Sequence, residues 1–387
     1  MRRSAIARKS RTCLLIFSPF ILVAVSTASA DNEQYVVEYR AFREALAAGN
    51  DEAAALHAHS AWQAAETELG SHLTTAILAY NYGRVIVFYD TGNSLAPLRR
   101  VSELQAAGTV DLSAAELQLY IDYAEFSTGG FKQRQAKKLR RSLEAFEEGR
   151  AASSPDAASI WLRLAASDIA AQQYRNALKS ATRAEAAIAS AIPDQPRELA
   201  EAILIAGIAR LVPYPRTVDD VQTAHNEFDR ARRLFSPQKD IDTFDPLLAR
   251  ILAWNGAATA ALKSLGEEDY PDHADTDTRG SEPLPKMFEY QLDESIDCAK
   301  VEWLEKQAPR FPRTALRSGS IGAVFVGFRL GDDLAVRDAR VLAEVPVAEF
   351  GESALSTLAQ WRARELPAGG PACHENLVTR FTFAIAK

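Results

Sequence analysis

The chain has 387 residues, which is long enough for two or three domains. Hydrophobic residues make up 47% of it and charged residues 25%, values that are ordinary for a globular protein. The formal net charge of −7 argues against nucleic acid as a partner, since binding to phosphates needs a cationic surface, and solubility explains the acidic balance.

The first thirty residues have the three parts of a secretory signal. Five basic residues precede an apolar run from Cys13 to Val25, and Ala28-Ser29-Ala30 follows the run. This run is interrupted by Ser18-Pro19 and is shorter than the roughly 20 apolar residues that a spanning helix needs. We therefore predict a signal peptide over residues 1–30, cleaved before Asp31. An uncleaved inner-membrane anchor is the alternative.

Residues 31–266 are rich in Ala, Leu, Glu and Arg and have helical periodicity. Turn signals divide this region into predicted helices of about 14 to 20 residues that are paired by short turns. The signals are Gly49-Asn50, Gly70, Thr91-Gly92-Asn93, Gly129-Gly130, Ser153-Ser154-Pro155, Pro193, Pro213-Tyr214-Pro215 and Ser236-Pro237.

The clearest internal repeat begins at Trp161. Its small and apolar positions are Trp161, Leu164, Ala165, Ala177, Ala181 and Ala184. This pattern resembles the tetratricopeptide (TPR) repeat, in which small residues let two helices approach closely. Because the other candidate units depart from a spacing of 34 residues, we predict a degenerate TPR-like solenoid over 31–266. An irregular helical bundle is the alternative.

Residues 267–307 are predicted to connect two separable halves. The stretch 267–285 is acidic, contains several prolines and has few apolar residues, so it is interpreted as a linker or a long surface loop. The residues from Ile296 to Lys306 are predicted to form a helix that leads into the next domain.

Residues 308–387 predict a small α+β domain. Pro312 can open a short helix, and Gly319 and Gly322 can end it. Two strand-like runs flank the turn Gly331-Asp332-Asp333, so a hairpin is expected there. A helix with one apolar stripe follows, and then a third strand. The stripe is Phe350, Ala354, Leu358 and Trp361; the third strand alternates at Leu377, Thr379, Phe381, Phe383 and Ile385.

This order of motifs resembles the C-terminal domain of the TonB family. An aromatic residue and Pro precede a short helix, a Gly-x-Val-x-Val-x-Phe strand, a hairpin and a helix that ends in Trp-Arg. The residues that carry the resemblance are Phe311, Pro312, Gly319, Gly322, Val324, Val326, Phe328 and Trp361. The predicted fold is therefore α+β multidomain: an all-α TPR-like solenoid, then a TonB-type domain with a three-stranded antiparallel sheet and helices on one face.

The resemblance implies that the sheet binds a short receptor segment. Family members pair a segment of an outer-membrane receptor with this sheet and pass inner-membrane energy to receptor-mediated uptake. The present chain departs from that pattern, since it has no Pro-rich spacer and carries a helical region instead. The resemblance therefore implies the family's binding mode for this chain more strongly than it implies a role in energy coupling.

The last strand is the candidate binding site, because chain order places it at an edge of the sheet. Its outward side chains are expected to be Val378, Arg380 and Thr382. The candidate partner-binding residues are Asn376, Leu377, Val378, Thr379, Arg380 and Phe381.

Two cysteines, Cys298 and Cys373, remain after removal of the signal. An even number in an oxidising compartment predicts one disulfide bond between them. A reduced, buried pair is the alternative.

No catalytic motif stands out in the sequence. His57 and His59 are spaced i, i+2 and point to different sides of a helix, and no phosphate loop or nucleophile elbow occurs. We predict a non-enzymatic periplasmic protein that binds an envelope protein or an outer-membrane receptor peptide, with no catalytic, cofactor or metal site, no small-molecule substrate and no nucleic acid. The alternatives are an inner-membrane-anchored energy transducer and a TPR scaffold of the cell envelope.

Overall fold

The computed structural model describes residues 33–148, 153–213, 216–235, 245–265, 301–318, 320–367, 372–375 and 377–383. Several predictions fall outside these ranges and remain predictions: the signal peptide and its cleavage site, the linker over 267–285, and the structural roles of Cys298, Gly319, Asn376 and Ile385.

Eleven helices precede the first strand in the described part of the chain. They are α1 (Gln34–Ala47), α2 (Asp51–Glu68), α3 (Leu73–Ile86), α4 (Thr91–Ala106), α5 (Ala114–Thr128), α6 (Gln133–Glu147), α7 (Pro155–Ala170), α8 (Tyr174–Ala191), α9 (Pro196–Leu211), α10 (Val218–Arg232) and α11 (Pro246–Ser264). The C-terminal elements are β1 (Trp303–Glu305), α12 (Arg313–Ser318), β2 (Gly322–Leu330), β3 (Val336–Val345), α13 (Gly351–Leu358), β4 (Arg362–Ala363), α14 (Ala372–Glu375) and β5 (Leu377–Phe383).

Several of these helices are capped at the N-terminus by a short polar side chain. The Asn50 side chain accepts a hydrogen bond from the Ala53 N–H at 3.1 Å, which caps α2. Asp245 accepts from the N–H groups of Leu247 at 2.7 Å and Leu248 at 3.3 Å, which caps α11. The predicted break at Thr91-Gly92-Asn93 differs from the structure, since these residues form the first turn of α4 behind Asp90.

Small residues let paired helices approach each other, as the TPR-like pattern predicts. Gly207 of α9 faces the Phe228 ring of α10 so closely that an added Cβ would lie 2.4 Å from a ring carbon. In α3, a Cβ at Gly83 would lie 2.8 Å from Leu98 of α4. The alanines of the Trp161 repeat, Ala165, Ala177, Ala181 and Ala184, have no exposed surface.

The chain forms two compact units. One extends to Ile160 and includes Ser190–Ile192; the other comprises Trp161–Ala189 and the residues from Pro193 onwards. The second unit therefore contains most of α7 and α8 and all of α9 to α11, together with the C-terminal strands. No helix in the described ranges combines the length and the apolarity that crossing a membrane requires.

The three-stranded sheet has the order β3-β2-β5, with both pairs antiparallel. The predicted fold class, a TPR-like helical region followed by a small α+β domain with this sheet, is confirmed. The expectation that helices cover only one face is wrong. One face packs in a cluster with α12 and α13, and the other packs in a cluster with α11.

The prediction of a lead-in helix over Ile296 to Lys306 is also wrong for the residues of that range that the structure describes. Trp303–Glu305 forms strand β1 and pairs with Arg362–Ala363 of β4. Val301 is buried and Trp303 is half-buried, whereas the residues between and after them are exposed. This alternation has the period of a strand, so the extended conformation buries both apolar side chains.

We predict that Gly207→Ala destabilises the protein, because the new methyl group would overlap the Phe228 ring. The expected loss in the free energy of unfolding is about 1–3 kcal/mol, measured by urea denaturation. Adding Phe228→Leu should recover part of it. Gly92→Ala is the control, since nothing lies within 4 Å of that position. Equal stability of Gly207→Ala and the control would contradict the close helix contact.

Candidate partner-binding strand

Strand β5 lies at one edge of the sheet. Its residues pair with β2 from Gly322↔Phe383 to Phe328↔Leu377 without any shift in register. Among the described strands, β5 pairs with β2 alone. Alternate N–H and C=O groups of such a strand point away from the sheet, where an added strand could pair with them.

One face of β5 belongs to an aromatic cluster. Phe383 stacks on Phe350 with ring centroids 4.4 Å apart, and Phe381 meets Trp361 edge-on at 5.2 Å. Leu377 and Leu358 belong to the same cluster. The inward orientation expected for Leu377, Phe381 and Phe383 is therefore observed, and these side chains anchor the strand.

The other face of β5 does not point to solvent. The expectation that Val378 and Arg380 are outward-facing is wrong, because α11 covers them and leaves 6% and 5% of their surfaces exposed. Thr382 is half-buried. Gly256 of α11 makes room for the Arg380 side chain, since a Cβ there would lie 2.6 Å from Arg380 Cδ and 2.9 Å from its Nε.

The sequence carried a signal for this second layer. Val324, Val326 and Phe328 of the motif lie on one buried face, but Ala323 and Phe325 between them are apolar as well. A strand that is apolar at both sets of positions is typical of burial on both faces. Helix α11 is apolar around nearly its whole circumference, which indicates a helix buried on several sides.

The opposite edge of the sheet, β3, is less regular. Its pairing with β2 shifts register between Phe325 and Val326 and again between Gly327 and Arg329. Exposed Arg337 pairs with Asp333 at 2.5 Å, and exposed Asp338 pairs with Arg329. Bulges and charges of this kind disfavour the addition of another strand. Strand β5 is therefore the more suitable of the two edges.

The described residues of the TonB-type motif hold the sheet and its helices together. A Cβ at Gly322 would lie 2.2 Å from the Val345 carbonyl oxygen and 2.3 Å from the Phe350 ring, so only glycine fits there. Phe311 meets Phe350 and Phe383 edge-on at 5.8 and 5.7 Å. Trp361 Nε1 donates to the Gln307 carbonyl at 2.9 Å. Val324, Val326 and Phe328 lie in the cluster beneath them.

Helix α13 is tied to the sheet by a carboxylate. Glu344 of β3 accepts hydrogen bonds from the backbone N–H groups of Glu349 and, at 2.6 Å, of Phe350. A negative charge at a helix N-terminus is favourable, because the free N–H groups there carry partial positive charge. The bond therefore helps to position Phe350 over Phe383.

The remaining predicted site residues are only partly described. Leu377 to Phe381 all lie on β5, whereas Asn376 is outside the described residues. Cys373 is buried in α14, and its predicted partner Cys298 is outside the described residues, so their bond stays a prediction. Within the described ranges, no group of three or more His, Cys, Asp or Glu side chains is arranged to hold a metal ion.

Comparison with known proteins gives a family match near the C-terminus and similarity to solved repeat structures. Residues 307–385 match the family model of the Gram-negative bacterial TonB protein C-terminal, about a fifth of the chain, so the resemblance stated over 308–387 is confirmed. No curated protein matches the chain significantly. One similar solved structure is a Podosopora anserina putative kinesin light chain with nearly identical TPR-like repeats. It has 14% identity and a TM-score of 0.36, over 51% of this chain and 93% of that chain. Another is BtubC (BKLC) from P. vanneervenii, with 17% identity and a TM-score of 0.35. That match covers 52% of this chain and 89% of that chain.

We predict that Gly256→Ala loosens α11 and β5 together, because the added methyl group would displace Arg380. The free energy of unfolding should fall by about 1–3 kcal/mol, and hydrogen exchange should quicken in both elements. In a double-mutant cycle, Arg380→Ala should remove part of the penalty. The control is Ala260→Ser on the same helix, at a less buried position. Faster exchange in α11 alone would contradict a shared core.

Proposed function

We propose that this protein is a non-enzymatic periplasmic interaction protein that binds an envelope or outer-membrane partner by strand addition to β5, in a role linked to transmembrane transport. The observation that carries the proposal is the unbroken register of β5 at one edge of the sheet, in a domain that matches the TonB C-terminal family. Backbone groups along such an edge pair with an extended peptide and supply affinity.

The surroundings of β5 support main-chain recognition. Both faces of the strand are already packed, one against Phe350 and Trp361 and the other against α11. An incoming segment would therefore meet backbone N–H and C=O groups before it meets open side-chain pockets. The proposed binding residues are those predicted from the sequence, Asn376 to Phe381.

A second candidate function is scaffolding by the helical region. The observation that favours it is the series of helices paired by short turns, which in repeat proteins presents an extended binding surface. The two functions differ in where a partner is captured. The first places it at β5, and the second places it on the helices.

We expect a photo-cross-linking residue at Thr382 of β5 to capture a partner from envelope extract. The matched control carries the same residue at Ala339 of β3, which is also half-buried but lies on the bulged edge. Capture from Ala339 and not from Thr382 would move the site to the other edge. Capture only from probes placed on helices α1–α10 would favour the scaffold.

A synthetic peptide of the captured segment then tests main-chain pairing. Methylating alternate peptide nitrogens in one register should weaken binding to the full chain at least about tenfold, because each methyl removes a donor. Methylation in the other register should have a much smaller effect, since those nitrogens face away from β5. Equal effects in both registers would contradict strand addition.

Intact-mass measurement tests the proposed location and the proposed disulfide bond. We expect the protein released from the periplasm to begin at Asp31 and to gain the mass of two hydrogen atoms on reduction, as a Cys298–Cys373 bond requires. Met1 retained in a membrane fraction would instead support the anchored energy transducer. A mass unchanged by reduction would contradict the bond.

A further inference from the structure

Helix α6 carries a row of cations on its solvent face. The row consists of Arg134, Lys137, Lys138 and Arg141, all exposed and spaced i, i+3, i+4 and i+7. Residues at this spacing project from one side of a helix. No acidic residue occurs between Lys132 and Leu143, although the whole chain has a net charge of −7.

The opposite face of α6 fixes the row in an outward position. The buried residues of α6 are Ala136, Leu139, Leu143 and Phe146. These apolar side chains face the protein interior. Rotation of α6 that turned its cations away from solvent would therefore expose the apolar side chains. The apolar face is therefore unavailable for insertion into a membrane, and any external contact has to be made by the basic face.

The cations of the row do not stabilise α6, so helix stability does not account for their presence. Cations near a helix N-terminus face the positive end of the helix dipole, and like charges three or four residues apart repel each other. Lys138 is compensated by Asp122 at 2.8 Å and Glu125 at 3.0 Å. Arg134, Lys137 and Arg141 form no ion pair within the described part of the chain. Their charges are left available to an external anion.

An exposed aromatic side chain precedes α6 in the chain. Phe131, just before the start of α6, is 50% exposed, and its backbone has a φ of 59°. Bulky residues rarely adopt this left-handed conformation. The ring rests edge-on against Phe126 with centroids 5.0 Å apart, which holds it at the surface. Cations together with an exposed aromatic ring are typical of proteins that rest on a membrane surface.

We propose that the basic face of α6 docks on an anionic phospholipid surface. The row contacts headgroup phosphates, and the Phe131 ring lies at the boundary between headgroups and acyl chains. The three uncompensated cations Arg134, Lys137 and Arg141 lie within about 10 Å along α6 and fit a flat, extended array of negative charge. Because salt screens charges beyond about 8 Å at physiological ionic strength, the distant acidic groups of the protein do not prevent this contact.

The test is flotation of the full chain with vesicles of phosphatidylglycerol and phosphatidylethanolamine, compared with phosphatidylcholine vesicles. The N-terminal run and its five basic residues are the same in every variant, so the difference between the natural chain and an α6 variant reports binding by α6. The variant Arg134→Gln/Lys137→Gln/Arg141→Gln spares Lys138 and its ion pairs. We expect it to bind anionic vesicles about 100-fold more weakly, at about fivefold per lost charge. Binding by the natural chain should fall steeply with added salt.

The matched control is Arg175→Gln/Arg183→Gln/Arg250→Gln, which removes three exposed charges from α8 and α11 and should bind like the natural chain. Phe131→Asn tolerates the positive φ and should weaken binding about tenfold. Thermal melting confirms that each variant is folded. Equal binding to both vesicle types, or undiminished binding by the α6 variant, would overturn the proposal. Preferential binding of soluble polyglutamate would also overturn it and indicate an acidic protein partner.

Discussion

The burial of strand β2 on both faces is the constraint on which the C-terminal half of the structure depends. Val324 and Val326 pack towards α13 and Trp361, while Ala323 and Phe325 pack towards α11. Burial of a side chain such as Phe325 stabilises the fold by roughly 1.5–3 kcal/mol. The position of β2 at the centre of the sheet then fixes β3 and β5 as its two edges.

This two-sided packing shapes the proposed binding strand. Because β5 has helices against both faces and pairs with β2 in unbroken register, its outer backbone edge is the part that the proposed strand addition would use. Arg380 is the single charged residue of β5, and it points beneath α11. An inward-pointing charge on an edge strand disfavours indiscriminate pairing, so the same residue favours a selective partner over self-association.

The sequence was sufficient for most of the helices, for the three strands of the main sheet and for one face of that sheet, but not for β1, which lies where a helix was expected. Alternation at Leu377, Phe381 and Phe383 identified the inward side of β5, and glycine and proline signals located most helix ends. The contact between α11 and the sheet could not be predicted from the sequence, because it joins residues that lie far apart in the chain. The opposite apolar set, Ala323 and Phe325, indicated a covering layer but not which helix would supply it. The binding role proposed for β5 rests on the family match together with this geometry.

The cover that α11 provides has a consequence for how this domain could be moved between proteins. A segment cut out at the family boundaries would carry a sheet whose second face, with Phe325 and Val378, is bare. That bare face would adjoin an unpaired strand edge, which is the arrangement most prone to aggregation and fibril growth. Moving this domain into another protein therefore requires α11 as well, so the unit that folds with a complete core is larger than the segment that matches the family.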